Sequence, residues 1–159
     1  HTTGLLRPNS TTGVALTEIY DLDTVLGSRL VNVSARMNVT GGEGTLIAGF
    51  SIAGTVPKQV LIRGVGPALA QFGVSGVLAD PMIAVYSGST QIYSNDNWEA
   101  GTSTAAQISA AAAQVGAFAL PAGSKDAVLL VTLQPGNYTV LVSGGTATGV
   151  ALIEIYDTQ

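Results

Sequence analysis

The sequence predicts an all-β fold: an antiparallel β-sandwich, jelly-roll or immunoglobulin-like, with one short helical insertion and an N-terminal strand arm. Three observations lead there. Short apolar runs recur along the chain, many alternating with polar residues at the two-residue period of a half-buried strand. Twenty Gly and six Pro punctuate 159 residues, which favours many short elements over a few long ones. Only one stretch carries a longer helical stripe.

The elements follow in order. Strands are predicted at 13–21 (GVALTEIYD), 29–38 (RLVNVSARMN), 45–52 (TLIAGFSI) and 58–63 (KQVLIR). In the second of these, Val31, Val33, Ala35 and Met37 alternate with Asn32, Ser34 and Arg36, which predicts one buried face. GVGP at 64–67 lacks the third glycine of a dinucleotide fingerprint and reads instead as a turn into a short helix, PALAQFG. Strands at 82–87 (MIAVYS) and 90–94 (TQIYS) flank SGST, a tight hairpin turn. TAAQISAAAAQV at 104–115 is the helix, with Ile108, Ala111, Ala112 and Val115 on one stripe. The last strands are 126–133, 137–143 and 149–157, with PGN at 135–137 read as a second hairpin turn. Eight or nine short strands with one helix are the pattern of a sandwich.

A repeat dominates the chain. Residues 13–21 read GVALTEIYD and residues 149–157 read GVALIEIYD, identical at eight of nine positions. At the same offset Thr3, Leu5 and Thr12 match Thr139, Leu141 and Thr148. Residues 1–27 are therefore expected to be an arm and linker, a degenerate copy of the last two strands, ahead of a sandwich domain at 28–159. The tail of a preceding module in a tandem array explains the origin of such a copy, but not its role. Docking a nine-residue strand costs about 1–2 kcal/mol of backbone entropy per residue. Burying Val14, Leu16, Ile19 and Tyr20 returns roughly 1.5–3 kcal/mol each. The two nearly cancel, so the strand holds best where it is paired and packed on both sides. The anchors would be Val14, Ala15, Leu16, Thr17, Ile19 and Tyr20, equivalent to Val150, Ala151, Leu152, Ile153, Ile155 and Tyr156. Thr17 in place of Ile153 predicts a wetter site for the arm.

Composition narrows the function. Only 10% of residues are charged, against about 25% in an ordinary soluble domain, and 47% are hydrophobic. Mean hydropathy is +0.42. Six basic residues against ten acidic ones, a net charge of −4, argue against nucleic acid. No run of about 18 apolar residues predicts a membrane span. The lone histidine is His1 and there is no cysteine, which removes Ser-His-Asp and Cys-His nucleophiles, thiolate zinc sites and disulfides. A chain beginning with His and carrying no signal-peptide pattern reads as a processed product or a piece of a longer one. A surface so poor in charge suits a protein covered by its neighbours.

The strings SRLVNVSARMNV (28–39), VLIRGVGPAL (60–69), SNDNW (94–98), LQPGNYTVLVSG (133–144) and GVALIEIYD (149–157) form a distinctive series. Together they resemble an uncharacterised tandem β-sandwich repeat module of large secreted and cell-surface proteins of Gram-negative bacteria. The stretch from Ile83 to Val142 also resembles bacterial pre-peptidase C-terminal sandwich domains. These resemblances imply an extracellular or cell-surface β-sandwich with a structural or adhesive role and bring no catalytic residues. The arm resembles the donor strand of pilus subunits, although this chain keeps its own terminal strand and lacks the cysteine pair of chaperone-usher pilins.

Single candidates are weaker. Asp96 and Glu99 in SNDNWE are the best carboxylate pair for a metal, but calcium wants six to eight oxygens and the loop offers fewer. The plainer reading is an Asx-rich turn anchored by Trp98. Trp98 with Tyr86 and Tyr93 could present a glycan platform or pack in the core. Arg63 is expected to pair with a carboxylate at a strand end. Asn9, Asn32, Asn38 and Asn137 stand in sequons, as chance allows in an Asn- and Thr-rich chain. No cofactor and no catalysis are expected. The expectation is a subunit of an extracellular bacterial filament, pairing with copies of itself by strand donation. The alternative is a carbohydrate- or surface-binding module of a tandem-repeat adhesin.

Overall fold

The computed structural model describes residues 31–42 and 44–159. The strand predicted at 13–21, the 1–27 arm with its boundary, and all six arm anchors (Val14, Ala15, Leu16, Thr17, Ile19 and Tyr20) lie outside the described residues.

The described residues form eight strands: β1 (Asn32–Val39), β2 (Leu46–Ile52), β3 (Lys58–Val65), β4 (Met82–Ser87), β5 (Thr90–Asn95), β6 (Ala127–Leu133), β7 (Gly136–Ser143) and β8 (Gly149–Asp157). A short 3-10 helix (Pro67–Phe72) follows β3, and one α-helix, α1 (Ala105–Gln114), lies between β5 and β6. The strands make two four-stranded sheets, ordered β1-β8-β3-β6 and β2-β7-β4-β5. Every pairing between these strands is antiparallel.

The pairings are nested. β1 pairs with β8, β2 with β7, β3 with β6 and β4 with β5, as if one long hairpin had been rolled up. That is the jelly-roll of the two expected sandwiches, not the seven-stranded immunoglobulin order. It also corrects one turn. PGN at 135–137 carries the chain from β6 in one sheet to β7 in the other, so it is a corner and not a hairpin. SGST does close the β4–β5 hairpin, with Gly88 at φ 59°.

Burial explains why the strands read as they do. Val60, Ile62, Leu129, Val131, Ile153 and Ile155 from one sheet meet Ile83, Val85, Val140 and Val142 from the other in a single core. The β1-β8-β3-β6 sheet is also covered on its outer face. There Leu61 and Val128 pack under Ile108 and Ala112 of α1 with Trp98, and Val65 packs with Ala68 and Leu69. Strands buried on both faces show continuous apolar runs, such as VLI in β3 and AVLLV in β6, where a half-covered strand would alternate. α1 begins with a capping box. Thr104 accepts the Gln107 N–H, and the Gln107 side chain accepts the Thr104 N–H. The outer face of the other sheet stays open and uncharged, with Ile47 60% exposed and Met82 46% exposed.

Candidate functional site

β8 lies between β1 and β3, hydrogen-bonded on both sides. Its alternation divides it cleanly. Ala151, Ile153 and Ile155 point into the sandwich and are buried, while Val150, Leu152, Glu154 and Tyr156 point to the outer face. The terminal-strand slot of this sandwich is thus filled by the chain's own C-terminal copy of the repeat.

The two long sides of the sandwich are unlike each other. On the β5/β6 side, groups from β5 and the loop after it reach peptide groups along the β6 edge. The Asn95 side chain accepts the Val128 N–H at 2.9 Å, the Trp98 N–H donates to the Asp126 carbonyl at 2.8 Å, and Ser103 Oγ donates to the Leu130 carbonyl at 3.2 Å. On the β1/β2 side no such cover exists among the described residues. The Asp157 N–H donates to the Val31 carbonyl at 3.0 Å, so odd-numbered residues of β1 turn their peptide groups toward β8. Those of Asn32, Ser34, Arg36 and Asn38 turn away from the sheet. Four of these eight positions in turn present side chains to the core side or the rim: Val33, Ala35, Met37 and Val39, sharing the face of Ile155, Ile153, Ala151 and Gly149. Only Val39 is buried. The buried face expected for Val31, Val33, Ala35 and Met37 is therefore corrected, since Val31 is 51% exposed, Met37 is 36% exposed and Ala35 is exposed. Their inward direction is right. β1 stands at the sheet edge, and across the rim Ala48 and Phe50 of β2 are only partly covered.

A second feature sits on the outer face beneath α1. Arg63 of β3 and Glu154 of β8 are register partners, and their side chains form a buried ion pair with Nε 3.2 Å from Oε2. Arg63 Nη1 donates to the Phe118 carbonyl at 2.9 Å, and the guanidinium lies 4.2 Å from the Phe118 ring centroid. Tyr156 donates its hydroxyl to Glu154 at 2.7 Å. Burial lowers the Arg63 pKa against the opposing pull of Glu154, Tyr156 and Asp126. Burial, followed by the Glu154 hydrogen bond and charge, raises that of Tyr156. Asp126 is fully buried and accepts the Gly66 and Ala68 N–H groups, holding the 3-10 helix on the sheet. Beside this network is a cavity of about 80 Å³, lined by Arg63, Trp98, Ile108, Ala112, Phe118 and Leu120 among others. Trp98 Nε1 and Arg63 Nη2 are buried donors without a hydrogen-bond partner among the described residues.

The expected pairing of Arg63 with a carboxylate is present, though deep in the fold and not at an exposed strand end. Its partner was missed. The signal for it was a lone Glu at 154 in the apolar run ALIEIY, matching the lone Arg in VLIRGV. Trp98, Tyr86 and Tyr93 are not brought together. Trp98 is buried with the α1 cluster; Tyr93 pairs with Val85 and Tyr86 with Gln91, on opposite faces of their hairpin. Asp96 is exposed, and Glu99 accepts the Gly123 N–H at 3.1 Å. No group of three or more His, Cys, Asp or Glu suited to a metal occurs among the described residues. No described helix is long and apolar enough to cross a membrane.

No family model matches the chain. No curated protein matches it either. Among solved structures it is similar to the pre-peptidase C-terminal domain of a collagenase from Bacillus anthracis. The TM-score is 0.46 and the identity 11%, over 79% of this chain and 89% of that one.

Proposed function

We propose that the protein is a structural subunit of an extracellular bacterial filament, in which the strand at 13–21 of one copy extends a sheet of the next. One observation carries this reading. The chain holds two near-identical strand sequences, and β8 already occupies the terminal slot of its own sandwich. The second copy must find another partner, and an open sheet edge accepts an extended strand through main-chain hydrogen bonds. A head-to-tail contact of this kind, repeated without closing on itself, builds a fibre. The uncharged outer face of the β2-β7-β4-β5 sheet, with Ile47 and Met82 exposed, suits a subunit flanked by copies of itself.

The test is electron microscopy of the full chain and of a chain lacking residues 1–27. Fibres from the first and dispersed particles from the second are expected. The same fibres from both would remove strand donation.

A second reading is a carbohydrate- or surface-binding module of a tandem-repeat adhesin, for which the exposed Ile47 and Met82 face would be the binding surface. It predicts a monomer that retains a glycan on an array.

A further inference from the structure

Resting on the strand-donation reading, we propose that the acceptor is the edge of β1 that is unpaired among the described residues. Residues 13–21 of a second copy lie antiparallel along it, with Glu18 opposite Arg36.

The described sandwich has four edges: β1 and β6 in one sheet, β2 and β5 in the other. The β6 edge is occupied by Asn95, Trp98 and Ser103. β5 carries a register shift opposite Val85 and Tyr86, a feature that blunts an edge against pairing. β2 has Gly49 at its centre, which weakens a strand. β1 has eight residues, no Gly or Pro, and outward peptide groups at Asn32, Ser34, Arg36 and Asn38.

The one difference between the two repeat copies selects the same place. Aligned on β8, the inward residues of the donated strand are Ala15, Thr17 and Ile19, matching Ala151, Ile153 and Ile155. Thr17 thus replaces Ile153, which has 0% exposure at the centre of the core. Docking energetics alone favours a slot between two strands, but such a slot would strand the Thr hydroxyl among apolar side chains, so the edge is the better fit for this copy. Beyond β1 the inward row is Val33, Ala35 and Met37, close to solvent, where a Thr hydroxyl keeps its water and Ile19 covers apolar surface.

Charge sets the register. β1 presents one charged residue on its outer face, Arg36, among Asn32, Ser34 and Asn38. The donated strand presents one there, Glu18, among Val14, Leu16 and Tyr20. Both are even-numbered, so an antiparallel pairing that keeps like faces together can set them opposite each other, with Leu16 opposite Asn38 and Tyr20 opposite Ser34. The ten residues at 22–31 reach up to about 35 Å when extended, enough to carry the strand to a neighbour.

The chain has no cysteine, so introduced pairs report geometry directly. Full-length chains carrying E18C are mixed with chains of a second tag carrying R36C, S51C on β2 or Q91C on β5, then oxidised. Disulfides need Cα atoms within about 7 Å. The expected result is a mixed dimer several-fold more abundant with R36C than with either other variant. A preference for S51C or Q91C overturns the β1 assignment and leaves donation standing. Closure only within one chain carrying both E18C and R36C, with no mixed dimer, overturns the second copy as the occupant. No cross-link in any mixture while fibres still form removes donation itself. The charge register is tested without cysteine. R36E weakens assembly several-fold and E18R in the same chain restores it; absence of rescue overturns the register.

Discussion

Among the described residues, one long side of this sandwich is partly covered and the other is left open. At the β5/β6 side, Asn95 and Ser103 bond the Val128 N–H and the Leu130 carbonyl of β6, Trp98 bonds the Asp126 carbonyl just ahead of it, and α1 covers the sheet beyond. At the β1/β2 side, β1 runs for eight residues with its outward peptide groups uncovered among the described residues. A bare edge is a template for pairing with another chain, and proteins that must stay single blunt or cover it. The same fold does so on one side and not on the other. The difference marks β1 as the edge that the proposed strand donation would use.

The sharpest way to break the comparison is to give both sides of one register pair the same residue. Ile153 and Ala35 are opposite each other in β8 and β1, one at the core centre and one at the rim. Ile153→Thr, which copies the arm's own residue into the core, is expected to cost about 2–4 kcal/mol. It loses apolar bulk and buries a hydroxyl without a sure partner. Ala35→Thr is expected to stay within about 0.5 kcal/mol, as at an exposed strand position. Urea unfolding of both variants measures the contrast, and similar costs would mean that the rim is as closed as the core.

Asn95→Ala unseals the closed side. It leaves the buried Val128 N–H unpaired and should cost about 1–3 kcal/mol, with faster amide exchange at Val128 in NMR.

Tyr156→Phe acts on the covered outer face through pH. The Tyr156 pKa is raised by burial and by Glu154, so the folded chain keeps a proton that the unfolded chain loses near pH 10. Its contribution is full below about pH 10 and falls away as the pH rises further. The Phe variant should therefore lose stability less steeply between pH 9 and pH 11 in parallel unfolding curves. The smallest effect is expected at the rim itself: Met37→Ser should change the stability of the dispersed chain by no more than about 0.5 kcal/mol, checked by the same unfolding curves.

Much of the fold was legible because short-range physics wrote it. The β4–β5 hairpin, the helical stripe of α1, and the turn from GVGP into the 3-10 helix all announce themselves within a few residues. What sequence could not supply was long-range. Nested pairing decides that residues 135–137 turn a corner between sheets, because β6 belongs with β3 and β7 with β2 and β4. Alternation in β1 gave the direction of Val33, Ala35 and Met37 but not their exposure, since exposure depends on what lies beyond the edge. Trp98 was legible as an anchor, whereas the separation of Tyr86 from Tyr93 turned on one register shift. The strand at 149–157 was read with the bounds of β8, and its Arg63–Glu154 bridge to β3 was half seen.

The account stands on the open edge of β1 being the assembly edge, and amide hydrogen exchange at Asn32, Ser34, Arg36 and Asn38 tests it most directly. In assembled full-length protein these four amides should exchange slowly, and in a chain lacking residues 1–27 they should exchange fast, with Val128 slow in both. Equal, fast exchange of the four in fibres and in the truncated chain would contradict it.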